Sequence, residues 1–191
     1  MTDYFAALRQ PRRPWLDTEA LKERYQRLAA EHHPDRQSRD AKVSPTFAEV
    51  NEAYRVLSDP KLRLQHLLEV EGYGAVKTSE IASELAEVFM EAADLVGQID
   101  DHLRKQKQAT SALSKSLLQA ETMKLQKSVD GLLERLQQSY SKAEQELRRA
   151  DQLWMEHGAA SFDQLRTLAD RFGYLERWIG QLRERQFQLS S

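Results

Sequence analysis

Apolar side chains recur every three or four residues through much of the C-terminal half, from Leu118 to Trp154. This is the spacing of one face of an α-helix, and it predicts a single helix from about residue 111 to 157. At 1.5 Å per residue this helix would be about 70 Å long unless it bends. Gly158 is typical of the residue that follows a helix, and Ser161 can cap another one. A helix of this length must cover its apolar stripe with neighbours, which constrains the whole segment.

Two further helices are predicted on either side of the long helix, from about residue 79 to 106 and from Ser161 onward. Each places its apolar residues on one face, and three such helices can pack as an antiparallel bundle or a long hairpin. Few β-branched residues occur and no segment alternates with period two, so we expect no sheet. The predicted fold class is all-α, with an elongated antiparallel three-helix bundle or hairpin in the C-terminal half.

The composition limits the classes of partner. The 191 residues carry a formal net charge of −2, which is too balanced for a protein that binds nucleic acid over its whole surface. There is no cysteine, so disulfides and thiolate metal ligands are excluded. No segment has the roughly 18 apolar residues that span a bilayer, and the first residues lack the features of a signal peptide. We therefore expect no nucleic acid, no membrane, no metal and a cytoplasmic location.

The N-terminal third predicts a helix that ends at a conspicuous tripeptide. Asp17 is a good N-cap for this helix, and Leu21 and Leu28 belong to its apolar stripe. The helix must end near His33, because Pro34 disfavours a helical backbone at the residue before it.

A second N-terminal helix is predicted to begin at Ser44, with proline at its first position, and to stop at the Ser-Asp-Pro sequence that ends at Pro60. Its apolar stripe, from Phe47 to Leu57, would face that of the preceding helix in an antiparallel hairpin. The tripeptide His33-Pro34-Asp35 would then lie exposed at the tip of this hairpin.

The residue types at this tip, and on the helix that leads to it from Asp17, suit the binding of another protein. Pro34 fixes the backbone, and Asp35 offers a carboxylate to a guanidinium in a geometrically specific, charge-assisted pair. Positive charge at Lys22, Arg24 and Arg27 favours an encounter with an acidic partner. Taken alone, these three residues would indicate only a solvated helix face.

Residues in and around the tripeptide also belong to the types that form metal sites and catalytic sites. His32, His33 and Asp35 could be metal ligands, but nothing nearby in the sequence completes a site. Ser38 and Ser44 lie in a polar loop without an oxyanion-stabilising feature, so we expect no catalytic site in this chain.

The N-terminal third resembles the J domain of the DnaJ family, through the sequences from Tyr25 to Arg36 and from Asn51 to Pro60. The resemblance implies docking on a DnaK-type chaperone, stimulation of its ATP hydrolysis and locking of that chaperone onto a client. It implies that the switch is formed by His33, Pro34 and Asp35, and that the positive docking residues are Lys22, Arg27 and Arg36. Gln26 stands where the family often has a basic residue, which weakens the expected docking.

A narrower resemblance begins at Pro60, where the chain reads Pro-x-x-Arg-x-x-x-Leu-Leu-x-x-x-Gly. This pattern, together with the segments 3–8 and 16–21, is similar to the iron–sulfur co-chaperone family HscB. The resemblance implies a chaperone partner of the DnaK or HscA type. It also implies a C-terminal three-helix bundle that presents an iron–sulfur cluster scaffold protein to that chaperone.

The C-terminal half resembles the same family at Val88-Phe89-Met90-Glu91 and at 172–177. The resemblance implies an apolar patch for the scaffold protein, with an acidic rim at Asp94. The patch residues would be Phe89, Met90, Ala93 and Tyr174. The chain departs from the family at Ala93 and Gly97, and its middle helices are longer. Apolar residues at this spacing can also simply form core, which is the alternative for Phe89, Met90 and Tyr174.

We therefore predict a J domain at residues 1–75 and a client-binding helical domain at residues 76–191. The protein would be a co-chaperone without its own active site or cofactor, because a chain without cysteine does not itself ligate the cluster. One alternative is a J protein of another specificity, whose C-terminal coiled coil recruits a different client or forms a homodimer. Another is a purely structural helical protein in which the tripeptide is accidental.

Overall fold

The computed structural model describes residues 2–32, 46–73, 83–157 and 162–190. Within these ranges the chain forms seven α-helices and no β-strand, which confirms the all-α fold class. The helices are α1 (Tyr4–Ala7), α2 (Thr18–Glu31), α3 (Phe47–Ser58), α4 (Pro60–Val70), α5 (Ser83–Gln108), α6 (Ala112–His157) and α7 (Phe162–Leu189). The long helix that the apolar stripe predicts from about residue 111 to 157 is α6.

The chain divides into two compact units. One unit contains Met1–Ser79 and Glu144–Asp170, and the other contains Glu80–Ala143 and Arg171–Ser191. Helices α6 and α7 therefore contribute to both units. The predicted domain boundary at residue 75 lies outside the described residues and stays a prediction.

Side-chain caps set the starts of the helices in the first unit. The Asp17 carboxylate accepts a hydrogen bond from the N–H of Ala20 at 2.8 Å, as the sequence indicates for the start of α2. The prediction that α3 begins at Ser44 is wrong, because Thr46 and Glu49 form a reciprocal capping box in front of Phe47. A capping box satisfies two otherwise unpaired N–H groups, and it therefore outweighs the signal of the preceding serine and proline.

Helices α2 and α3 pack against each other as the predicted hairpin. Leu28 of α2 and Leu57 of α3 are fully buried. The ring of Tyr25 stacks on that of Tyr54 with centroids 4.2 Å apart, and the Tyr25 hydroxyl donates to Asn51 Oδ1 at 2.9 Å. These contacts combine apolar burial with a satisfied polar group, which defines the register of the hairpin.

Helix α4 inserts two polar side chains into the first unit. The guanidinium of Arg63, only 4% exposed, donates to the carbonyl oxygens of Pro14 at 2.8 Å and Leu57 at 2.6 Å. Buried His66 accepts a hydrogen bond on Nε2 from the N–H of Tyr4 at 3.0 Å. Both side chains join segments that are distant in sequence, so they fasten α1 and the loop before α2 to α4.

The end of α6 packs on the same loop within the first unit. The buried carboxylate of Asp151 accepts from Arg13 Nε at 3.1 Å and, more closely, from a second nitrogen of that guanidinium. It also accepts from the N–H of Trp15 at 3.2 Å. The indole of Trp154 donates to the carbonyl of Arg12 at 3.0 Å. Residues 12–15 are thereby held by two consecutive turns of α6.

In the second unit, α5 and α6 run antiparallel. Glu91 Oε2 lies 2.7 Å from Arg135 Nη1, and His102 Nε2 lies 2.8 Å from the Thr122 hydroxyl. As the residue number rises along α5, from 91 to 102, that of the partner in α6 falls, from 135 to 122. The two helices therefore have opposite directions.

Helix α7 completes the second unit by running parallel to α5. Phe89 of α5 lies against Trp178 of α7, with ring centroids 6.5 Å apart. Further along both helices, Arg185 Nη2 donates to Asp100 Oδ2 at 3.2 Å. Together with the antiparallel α5–α6 pair, these contacts confirm the predicted antiparallel three-helix bundle.

Among the helices in the described part of the chain, none combines the length and the apolar character needed to cross a bilayer. The cytoplasmic location stays a prediction.

Replacing Asp151 by alanine should lower the free energy of unfolding by about 2 to 3 kcal/mol, because the Arg13 guanidinium and the Trp15 N–H would lose their buried acceptor. Urea denaturation followed by circular dichroism measures this effect. The control is Asp101→Ala, which removes an exposed carboxylate paired with Arg104 three residues later and should cost less than about 1 kcal/mol. Equal losses in the two variants would contradict the role assigned to Asp151.

Protonation of His66 should destabilise the fold in mild acid. Burial lowers the pKa of His66, although the nearby carboxylates of Asp3 and Glu69 act in the opposite direction. The unfolded chain therefore takes up this proton at a higher pH than the folded chain does. Stability from this group is complete above the unfolded pKa of about 6.5 and is lost as the pH falls below it.

Urea denaturation between pH 7 and pH 5, on the wild type and on His66→Gln, measures this contribution. We expect a steeper loss of stability with acid in the wild type, since other groups contribute equally to both proteins. Parallel pH dependences would show that His66 does not contribute.

Candidate functional site

The predicted chaperone-docking surface begins on α2, where Lys22 and Arg27 are exposed. Within the described residues, neither side chain has an ion-pair partner, so both are available to another molecule. Glu19 and Glu23 are exposed on the same helix. The solvent face of α2 is therefore mixed in charge rather than uniformly basic, and specificity would have to come from the position of each charge.

The tripeptide itself lies outside the described residues, as does Arg36 of the predicted docking set. His32 is the C-cap of α2, and its N–H donates to the carbonyl of Leu28 at 2.9 Å. The tripeptide therefore begins at the residue that follows this cap in the sequence. The predicted end of the helix near His33 agrees with this cap. The roles of His33, Pro34, Asp35 and Arg36 stay predictions.

Two residues of the metal alternative, His33 and Asp35, lie outside the described residues, so that alternative is not tested. Within the described residues, no group of three or more histidine, aspartate or glutamate side chains is arranged to hold an ion.

The predicted scaffold-binding patch divides between the interior and the surface of the second unit. Phe89 is only 7% exposed and its ring lies 5.7 Å from that of Tyr174, whereas the neighbouring Met90 is 69% exposed. Tyr174 is half-buried. The structure therefore places Phe89 in the core next to Tyr174, and contact with a partner would fall to Met90 and the outer part of Tyr174.

The remaining predicted residues of the patch lie on the solvent face of α5. Ala93 and Asp94 are exposed and follow Met90 by three and four residues, which places all three on one side of the helix. Gly97 continues the same exposed side one turn further on. This face combines one large apolar side chain, a small one and a carboxylate.

Trp178 is the residue of this region that the sequence did not assign to the site. It belongs to the apolar stripe of the last helix, and the structure stacks it on Phe89. Its contact with Phe89 depends on how α7 is aligned with α5, and no local sequence pattern reports that alignment.

Comparisons with known proteins agree with this architecture. The family model for the DnaJ domain matches residues 3–66. The co-chaperone protein HscB homolog of Bordetella avium is 32% identical over 158 residues, which cover 80% of this chain and 89% of that protein. The chaperone protein DnaJ of Dictyoglomus thermophilum is 40% identical over 77 residues, which cover 38% of this chain and 19% of that protein.

Among solved structures, the chaperone HscB from Vibrio cholerae matches 98% of this chain and 99% of its own length. The TM-score is 0.56 and the identity is 17%, so this likeness supports the fold.

Proposed function

The chain belongs to the HscB family of co-chaperones, and we propose that it docks on a DnaK- or HscA-type chaperone, stimulates ATP hydrolysis there and delivers an iron–sulfur cluster scaffold protein. The observation that carries this proposal is the 32% identity to an HscB homolog over 80% of the chain. Because the match extends well beyond residues 3–66, it includes helices of both compact units and not only the J domain.

The proposed chaperone contact uses the end of α2 and the tripeptide that follows it. Asp35 would accept two hydrogen bonds from a guanidinium of the chaperone, a pairing that fixes orientation as well as contributing energy. Exposed Lys22 and Arg27 would meet carboxylates on the chaperone and raise the rate of encounter.

The proposed scaffold contact uses the exposed side of α5. Met90 offers a flexible apolar side chain that adapts to a partner surface, and Asp94 adds a charged edge. The stacked rings of Phe89 and Trp178 would hold α5 and α7 in register. The cluster would remain on the scaffold protein, because this chain has no thiolate to offer it. In this proposal the chain acts by binding alone and needs no active site or cofactor.

The departures at Ala93 and Gly97 favour a second candidate, a J protein that serves another client. A small side chain at residue 93 reduces the apolar area that a scaffold protein could cover. Both candidates share the chaperone contact, so the two contacts need separate tests.

Asp35→Asn should abolish the stimulation of a cognate DnaK- or HscA-type chaperone, because an amide cannot form the charged, two-point pair with a guanidinium. The measurement is the steady-state ATPase rate of the chaperone at saturating co-chaperone. Asp17→Asn serves as the control, since asparagine caps a helix as well as aspartate does and should leave the stimulation intact. Full stimulation by Asp35→Asn would refute the proposed docking mode.

The double variant Met90→Ala with Tyr174→Ala should weaken binding of the scaffold protein at least about tenfold, because truncating buried anchors at the centre of an interface typically costs this much. Isothermal titration calorimetry with the purified scaffold protein measures the affinity. Met155→Ala removes a methionine of α6 that is 61% exposed, compared with 69% for Met90, and should leave the affinity unchanged. Scaffold binding that the double variant retains would show that the contact does not depend on Met90 and Tyr174. A wild type that does not bind the scaffold protein would favour the second candidate.

A further inference from the structure

The helical hairpin formed by α5 and α6 has a strongly basic tip. Residues 104–127, which we call the tip segment, cover the last turn of α5, the connection and the first turns of α6. They contain six basic residues and one acidic residue, whereas the whole chain has a formal net charge of −2. The rest of the protein is therefore acidic, and the positive charge is concentrated in one place that the proposed co-chaperone function does not use.

The outward side of α6 carries a regular stripe in this segment. Leu113, Leu117, Ala120, Lys124 and Lys127 follow one another at intervals of four, three, four and three, and all five are exposed. We call these five residues the outer stripe. This spacing is that of the a and d positions of a coiled coil, at which a helix meets another helix.

The outer stripe is separate from the face that α6 uses in its own bundle. Leu125 and Val129 point into the second unit and are buried. In contrast, Leu113 and Leu117 are 72% and 66% exposed. They lie one turn apart on the same side of α6, so two large apolar side chains adjoin on the surface of the outer stripe.

The positive charges of the outer stripe are not neutralised within the described part of the chain. Neither Lys124 nor Lys127 has an ion-pair partner there. The one acidic residue of the segment, Glu121, lies off the stripe with a carboxylate oxygen 3.2 Å from Nδ1 of His102. The stripe is thus apolar in its first half and cationic in its second half.

We propose that the outer stripe binds an acidic amphipathic helix of a partner protein. Apolar residues of that helix would cover Leu113 and Leu117, and its carboxylates would face Lys124 and Lys127. The ε-ammonium groups would gain charge partners, and the leucines would leave water.

Two other occupants fit the stripe less well. A second copy of this chain would bring two tip segments of the same charge together, which is unfavourable. A lipid surface would need the lysines at the level of its headgroups and the leucines deeper. Here the lysines continue the same line along the helix, with Lys124 about 10 Å beyond Leu117, which suits a rod-shaped partner.

The outer stripe also differs in place from the proposed scaffold patch. Met90 belongs to the scaffold patch, and Arg104 is the first residue of the tip segment that contains the outer stripe. These two residues are fourteen apart on the continuous helix α5, which corresponds to about 21 Å. The proposed helix contact can therefore fail or succeed independently of the co-chaperone function.

Two synthetic helical peptides of the same length test this proposal. In one half of each peptide, the a and d positions carry leucine. In the other half of the sequence, these positions carry glutamate in the acidic peptide and lysine in the basic peptide. Fluorescence anisotropy with the full chain should show at least about tenfold tighter binding of the acidic peptide, with the preference reduced by added salt.

Variants of the stripe sharpen the test. Lys124→Glu with Lys127→Glu should reverse the preference in favour of the basic peptide, and Leu113→Gln with Leu117→Gln should weaken binding of the acidic peptide about tenfold. The control, Lys142→Glu with Arg149→Glu, reverses two exposed charges elsewhere on α6 and should leave the preference unchanged. Circular dichroism checks that each variant keeps its helix content, and all should still stimulate the chaperone ATPase.

Three results would overturn the proposal: failure of the acidic peptide to bind, equal binding of the two peptides, or a preference that the stripe variants do not alter. Sedimentation with vesicles of phosphatidylcholine containing phosphatidylglycerol identifies the lipid alternative. Binding of the chain to these vesicles without binding to the acidic peptide would assign the stripe to a membrane surface instead.

Discussion

A buried carboxylate at Asp151 determines how the first unit is held together. A carboxylate removed from water is stable only if its oxygens are satisfied, and here the Arg13 guanidinium and the Trp15 N–H supply the donors. These residues precede α2 by a few positions, so their placement determines the point in space from which that helix runs. The proposed chaperone contact lies on α2 and at its end, and it therefore depends on a contact made more than a hundred residues later in the sequence.

The polar side chains of α4 give a physical reason for a pattern that the sequence shows only as a resemblance. Arg63 closes a gap between the carbonyls of Pro14 and Leu57, and His66 accepts the N–H of Tyr4. Each satisfies a backbone group that burial would otherwise leave unpaired. The arginine and the two leucines of the Pro-x-x-Arg-x-x-x-Leu-Leu pattern are buried, so the pattern describes how the end of the J domain packs.

Helices α5 and α6 show how one helix can serve a core and a surface at once. Phe89 and Met90 are adjacent in sequence, yet one supports the bundle and the other is open to solvent. Along α6, Leu125 faces inward while Leu117 faces outward. Periodicity alone gives each helix an apolar stripe, but where a helix has apolar residues on two sides the covered side is chosen by its neighbours.

The amino-acid sequence by itself determined the all-α class, the long helix α6, the α2–α3 hairpin and the family, because helical periodicity, caps and short motifs are local properties. It misplaced the start of α3, where a capping box at Thr46 competed with the proline directly before it. Only the tertiary structure decided that Asp151 is buried, that Trp178 stacks on Phe89 and that Leu113 and Leu117 remain uncovered. Each of these depends on the register between segments far apart in the chain, which the packing of complementary surfaces sets and no local pattern encodes.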